Sequence, residues 1–445
     1  MDTKNIVAAI SLSAAVIVLY SLFFAPPPIT KENMAEGNKV EQNSDTPSLD
    51  QKENVAEISR EEALNQSERI NFENESIVGS ISLKGGVIDD LTFKQYNVSL
   101  DSQKKVTLLS PRNSKDGYLI ESGFITSDKN VEIPNSNSIW KVSGNNKLTD
   151  QSPIKISWTN DQGITFEKEI ALDDKYLFSI KQSVINPTDK KYDFYTYGQI
   201  IRNEMPDISN FYILHEGLVA TLDDELIEED YDDIQEKKFS RTAQKGWLGI
   251  GDKYWVTSLI PPREKEFKTT FDYKDKFRAN FVSTEPLELN ENSLIEETLQ
   301  IIVAAKRVDV IDGYAESLNI DKFDLTIDWG FLYFITKPLF FGIDYFFKLL
   351  GNYGLAIIAI TICIRLAFFP LANFSFRSMA KMKALQPEMA RLKTLHEGDK
   401  MKLQQAMMAL YKKEKVNPMS GCLPILVQIP VFFALYKVLF VTIEM

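Results

Sequence analysis

Arg365 is the single charge in the run Leu355–Leu371, LAIIAITICIRLAFFPL. A fixed positive charge in an apolar segment of membrane-spanning type costs roughly 2.5–3.5 kcal/mol on insertion scales, and such residues usually face protein or a water-filled cavity. The chemistry open to it there is electrostatic recognition of an anionic group. The competing reading is snorkelling: at ~1.5 Å per residue, Arg365 stands ~9 Å from the end of the segment at Leu371, within reach of headgroups for so long a side chain. The segment alone leaves both readings open. Thr361 lies four residues earlier, on the same side of a helix. Gln428 is an amide inside the next apolar run, Ile425–Leu439, which also holds Pro430, Tyr436 and Lys437. If the two runs are neighbours, Arg365, Thr361 and Gln428 line one polar cavity. The plainer alternative is an interhelical hydrogen bond from Arg365 to Gln428 with no ligand.

Other chemistries find little material. Two histidines, His215 and His396, nearly exclude a histidine-rich metal site. His215 beside Glu216 is the only histidine of the long acidic region, where sugar epimerisation would need an acid and a base; a structural role is expected for it. The two cysteines, Cys363 and Cys422, sit in or beside apolar segments, so no disulfide framework holds the rest. The acidic run Asp223–Lys238 lacks the ligand order of a calcium loop, Gly249-Ile250-Gly251 lacks the rest of a dinucleotide fingerprint, and no Walker motif is present. The expectation is a protein with no cofactor, no metal and no catalytic residue.

The elements that must position the polar residues follow from charge and hydropathy. The chain has net charge −12, unevenly placed. Residues 372–420 hold ten Lys/Arg and four Asp/Glu, whereas residues 26–330 carry net −20, a split that points to two compartments and argues against direct DNA binding. Ile6–Ala25 is an uncharged run of 20 residues, long enough to span a bilayer, and it reads as an uncleaved anchor over residues 1–25 rather than a signal peptide. Residues 26–76 are polar and almost without aromatics, the composition of a disordered tether. From residue 77 to 325, short alternating stretches such as Ile77–Leu83, Ile164–Ile170 and Tyr192–Ile201, bounded by Gly, Asn, Asp and Pro, predict a large β-sandwich. Residues 328–350 are rich in aromatics, and Lys337, Asp344 and Lys348 share one helical face, the pattern of a helix lying in the membrane interface. A second span over 352–371 and a third over 421–443 then bracket the basic segment 372–420. With the N-terminus inside, the acidic body lies outside and the basic loop returns to the cytoplasm, as short basic loops do.

The basic loop reads as a helical hairpin, Ser375–Leu395 and Lys400–Lys413, with a kink or break at Pro387. Met379, Met382 and Met389 lie on the apolar face of the first arm, Met407 and Met408 on that of the second. Seven of the eleven methionines fall between 379 and 419. Methionine faces adapt to varied apolar partners, although the two arms could simply pack on each other.

Several of these stretches resemble the Gram-negative YidC-type members of the membrane-protein insertase family that bacteria share with mitochondria and chloroplasts. The carrying motifs are IRLAFFPL (Ile364–Leu371), SMAKMKALQPEM (Ser378–Met389), MALYKKEKVNPMSGCLPILVQIPVFFALY (Met408–Tyr436) and DWGFLYFITKPLF (Asp328–Phe340). In the acidic body, SLKGGVIDDLTFKQY (Ser82–Tyr96) and KGWLGIGDKYWVTSLIPP (Lys245–Pro262) are similar to that family's periplasmic domain. The resemblance implies a multi-domain protein of the bacterial inner membrane: a mutarotase-like periplasmic sandwich, an α-helical membrane domain and a cytoplasmic helical hairpin. It implies a hydrophilic inner-leaflet groove in which Arg365 is the groove arginine, and a function in inserting and folding nascent membrane proteins. Implied partners are nascent membrane proteins and lipids, with the Sec translocon, the ribosome and a signal-recognition receptor as further candidates. The family carries further spans after the third, and the sequence stops at Met445; the expectation is a groove incomplete as it stands. The runner-up is a membrane-anchored periplasmic protein that binds or modifies carbohydrate.

Overall fold

A computed structural model describes residues 58–99, 101–206, 214–414, 416 and 423–445. The expected anchor over 1–25 and most of the expected tether lie outside them. The tether, expected through residue 76, is corrected at its end. Ser59 caps the short helix α1 (Arg60–Leu64): its hydroxyl accepts from the Glu62 amide, and the Glu62 carboxylate accepts from the Ser59 amide. Arg69–Glu73 is a strand, antiparallel to Ile77–Ser82. Only Ile70 and Phe72 of that strand are apolar, but they alternate and both are buried. Arg60 and Arg69 form ion pairs with Asp90 and Asp89 on the neighbouring strand Val87–Asn97. Composition made the segment look like a tether; two inward side chains and two part-buried ion pairs tie it to the sheet.

Two large sheets form the expected sandwich. One has eleven strands, its main path running from Phe239–Ala243 at one edge through Tyr192–Arg202 and Tyr118–Ile125 to Lys147–Leu148 at the other. The other has nine, with the long strands Leu177–Asn186 and Ser293–Ala305 paired at its centre. Alternation sets the register: Phe166, Lys168, Ile170 and Leu172 are the buried residues of Thr165–Leu172. Aromatic rings fill the space between the sheets, Phe72 edge-on to Phe178 at 5.2 Å and Phe93 stacked on Trp255 at 4.7 Å. Gly246 begins the strand Gly246–Gly251 at φ +141°, and a Cβ there would stand 1.8 Å from the Thr221 carbonyl oxygen. The small helix α2 (Tyr231–Glu236) buries Tyr231 and Ile234 at one end of the sandwich.

The chain leaves the sandwich through α3 (Val308–Ser317) and a 3-10 turn, Phe323–Thr326, into α4 (Tyr333–Leu350). Lys337 of α4 is not presented to water or headgroups: its ammonium bonds Asp312 of α3 at 3.1 Å and Asp324 at 2.8 Å. The charged stripe expected to face the interface is thus partly consumed in docking α4 on the sandwich, and only Lys348–Asp344, at 2.7 Å, remains a local pair of that stripe. Gly351, at φ +67°, turns the chain, and Asn352 caps α5 (Tyr353–Ala367) by accepting from the Leu355 amide. At ~1.5 Å per residue, α5 is only ~22 Å long, short of a hydrocarbon core of ~30 Å. The helix breaks at Phe368, with Pro370 in the first turn of α6 (Phe369–Ala384), and the two halves meet at 57°. A second break falls where Pro387 predicts it, between α6 and α7 (Gln386–Leu395); α8 (Lys400–Lys413) follows. Leu423–Val441 is α9, whose window Pro424–Val441 has mean hydropathy 2.0, the length and composition of a membrane-crossing helix.

Candidate functional site

The broken helix and α9 bring two of the three expected polar residues together. The Arg365 guanidinium donates from Nη1 to Oε1 of Gln428 at 3.1 Å, across 63 residues of sequence. Arg365 is exposed and Gln428 half-buried. Thr361 is half-buried one turn earlier on α5, and its hydroxyl donates to its own helix, to the Ile357 carbonyl at 2.7 Å. Its proton is therefore engaged, while the hydroxyl oxygen keeps acceptor capacity. Arg365 has five N–H groups in a rigid fork, of which the bond to Gln428 uses one. Gln428 thus orients the fork, and the exposed remainder can take a carboxylate.

The hairpin methionines divide. Met389 receives the Tyr411 hydroxyl at 3.7 Å and so links α7 to α8; Met382 and Met407 are half-buried. Met379 and Met408 are exposed, as is Met401, and neither α7 nor α8 buries any residue fully. The two arms touch without forming a core of their own.

His215 is occupied on both ring nitrogens, Nδ1 with Asp230 at 3.1 Å and Nε2 with the Leu218 carbonyl at 3.3 Å, and its amide donates to Asp328 at 2.9 Å. Glu216 accepts from the Lys253 amide at 2.9 Å. The pair is built into a junction between the sandwich and the helices. There Lys437 of α9 bonds Asp328 at 2.7 Å, Lys253 lies over the Phe440 ring at 3.8 Å from its centroid, and Glu444 accepts from the Val308 amide at 2.7 Å. Buried Lys306 is surrounded by Asp252, Asp328, Glu216 and Glu228; desolvation nevertheless outweighs those carboxylates and pushes its ammonium down to about 8. Desolvation likewise raises Glu228 above the usual carboxylate range. Beside the junction, a cavity of about 720 Å³ is lined by His215, Asp328, Trp329, Phe433 and Lys437 among others. Sequence reasoning noted Lys437 and gave it no role. The available signal was of the same kind as at Arg365: a lone lysine in an apolar span needs a partner.

Fold and site define a class: a β-sandwich joined to apolar helices that carry a fixed charge among hydrophobic residues. Residues 69–341 match the family model described as the YidC periplasmic domain, and residues 345–445 that described as the 60Kd inner membrane protein. A membrane protein insertase YidC of Pelagibacter ubique is 73% identical over 446 residues, covering all of this chain and 80% of that protein. Among solved structures, an active YidC insertase crystal structure with its first transmembrane domain resolved is 16% identical, with TM-score 0.28 over 84% of this chain and 72% of the other. A galactose mutarotase related enzyme of Lactobacillus acidophilus is 12% identical, with TM-score 0.39 over 54% of this chain and 98% of that one. The assignment rests on the sequence matches: the chain belongs to the YidC family of membrane protein insertases, proteins of the inner membrane.

Proposed function

We propose that the chain inserts nascent membrane proteins through a polar groove at the inner leaflet, with Arg365, Gln428 and Thr361 as its contacts. The sandwich lies on the periplasmic side, and the N-terminus and the basic hairpin on the cytoplasmic side. The observation that carries this reading is the Arg365–Gln428 hydrogen bond between two apolar helices. It holds a fixed charge at a defined place with most of its donors still exposed. A carboxylate on an incoming tail ~4 Å from that charge is attracted by ~4 kcal/mol at an effective dielectric of ~20, against ~1 kcal/mol in bulk water. The tail is held part-way, and the apolar segment beside it moves into lipid by the hydrophobic effect. The mechanism needs neither a nucleotide nor a covalent step. The exposed Met379 and Met408 of the hairpin, with Met382, Met389 and Met407 behind them, offer an adaptable surface to an emerging chain. The Sec translocon, the ribosome and a signal-recognition receptor are the further partners this reading proposes, with membrane lipid at the groove's open side.

The test is site-specific photo-crosslinking from positions 361 and 428 of the full-length protein during synthesis of a small membrane protein with an acidic tail. Crosslinks to the nascent chain at both positions are expected. Their absence there, with crosslinks present at outward-facing controls such as Ile362, would overturn the groove.

A further inference from the structure

Lys437 and Phe440 stand three residues apart on one side of α9, and Glu444 follows in the turn just past the end of that helix at Val441. All three end on the sandwich or on the linker that leaves it. The Lys437 ammonium bonds Asp328 at 2.7 Å with both side chains largely buried, 12% and 16% exposed. The same carboxylate accepts from the His215 amide, so one residue joins α9 to two separate segments, the loop before strand Gly217–Leu222 and the linker into α4. Phe440 lies under Lys253. Glu444 accepts from the amide of Val308, the first residue of α3. The residue in the cap position of that helix, Arg307, makes no side-chain cap bond, so a carboxylate 136 residues away satisfies an orphan donor at the positive end of the helix.

We propose that this seam makes Lys437, Asp328 and Glu444 positioning residues, which fix the rotation of α9 and thereby the presentation of Gln428 to Arg365. The geometry is that of a rod held on two faces. Gln428 precedes Lys437 by nine residues, which at 3.6 residues per turn places it on roughly the opposite side of α9. A helix apolar all round has no amphipathic face of its own to select a rotation against lipid. The seam supplies that selection through a directional ion pair and a hydrogen bond. Its own footing is rigid, because Lys337 ties α4 to α3 through Asp312 and to the 3-10 turn through Asp324. The sandwich thus acts as the fulcrum of the helical part. The consequence for insertion rests on the groove reading above; the seam itself does not.

The experiment separates the two. In the full-length protein in membrane vesicles, Cys363 and Cys422 are replaced by serine, and Arg365→Cys and Gln428→Cys are introduced as a pair for a short bis-maleimide. With the Arg365–Gln428 bond removed, the seam has to hold the register, and efficient crosslinking is expected. Lys437→Met and Glu444→Ala should each lower the yield severalfold. Lys437→Arg and Glu444→Gln, which keep the ion pair and the acceptor respectively, should retain most of it. Yields that stay the same in Lys437→Met and Glu444→Ala overturn the proposal, as do equal losses in the conservative and disruptive variants of a pair. Two sites are probed so that a variant failing to accumulate does not leave the seam untested. Insertion rates, measured with Arg365 and Gln428 intact, report on the groove reading alone.

Discussion

Lys306 offers a prediction whose size can be worked from the structure. It is 3% exposed, and its ammonium is pushed from the ordinary 10.5 down to about 8. Desolvation is the dominant cause; Asp252, Asp328, Glu216 and Glu228 oppose it without cancelling it. Between about pH 8 and 10.5 the unfolded chain holds a proton on this lysine that the folded chain has lost, so stability rises with pH across that window. That fall from 10.5 to about 8, at about 1.4 kcal/mol for each tenfold loss of proton affinity, amounts to roughly 3–4 kcal/mol, present in full as a penalty below pH 8. Lys306→Met removes that penalty with a side chain of similar length. The attraction of the four carboxylates is already inside that net figure, so the gain at pH 7 is bounded by it, roughly 3–4 kcal/mol at most. Denaturant titration of the purified protein in detergent, followed by tryptophan fluorescence at pH 7 and at pH 10, measures both quantities. The expected result is a more stable variant at pH 7 whose advantage shrinks towards pH 10. A variant less stable than the parent at pH 7, with the parent's pH dependence unchanged, would refute the reasoning. It would mean that the carboxylates outweigh desolvation and that Lys306 is a net tie in the junction.

Four further outcomes are expected. Arg365→Ala should slow insertion of acidic-tailed substrates in pulse-labelled cells, while Arg365→Lys largely preserves it; equal rates in all three proteins return Arg365 to snorkelling. Thr361→Val should leave helix content by circular dichroism unchanged, because the hydroxyl proton goes only to the Ile357 carbonyl, yet slow insertion if the hydroxyl oxygen meets substrate. Gly246→Ala should destabilise the sandwich by about 3 kcal/mol or more in the same denaturant assay, since its Cβ would stand 1.8 Å from the Thr221 carbonyl oxygen at a φ that other residues rarely adopt. Phe72→Ala should cost about 3–5 kcal/mol by opening a cavity against Phe178, with no effect on the Arg365–Gln428 distance measured by crosslinking.

The sandwich was legible where its strands alternate: the pattern of a half-buried strand is local, and Ile164–Ile170 carries it within a few residues, whereas Tyr192–Arg202 alternates only at its start and is then buried on both faces. The strand Arg69–Glu73 was missed because two apolar residues among three polar ones fall below what composition detects, while their burial depends on a partner strand beyond a turn. The break at Pro387 was readable because proline acts on its own turn. The break at Phe368 was not anticipated: an apolar run reads as continuous to hydropathy, which carries no information on backbone direction. The charged stripe of α4 was legible as a stripe, but that Lys337 meets Asp312 and Asp324 was not, since periodicity fixes which residues share a face but not what each of them meets.

The same division runs through the site. Sequence by itself determined that Arg365 is a costly charge in an apolar run, that Thr361 shares its side, and that Gln428 waits in the next run, because solvation cost and helical period are properties of the chain alone. Tertiary structure decided that Arg365 and Gln428 meet, and that Lys437 and Glu444 end on Asp328 and Val308 of the linker that leaves the sandwich. Those pairings span 63, 109 and 136 residues. A charge in an apolar run announces in sequence that it needs a partner; which partner it finds depends on how the intervening chain folds.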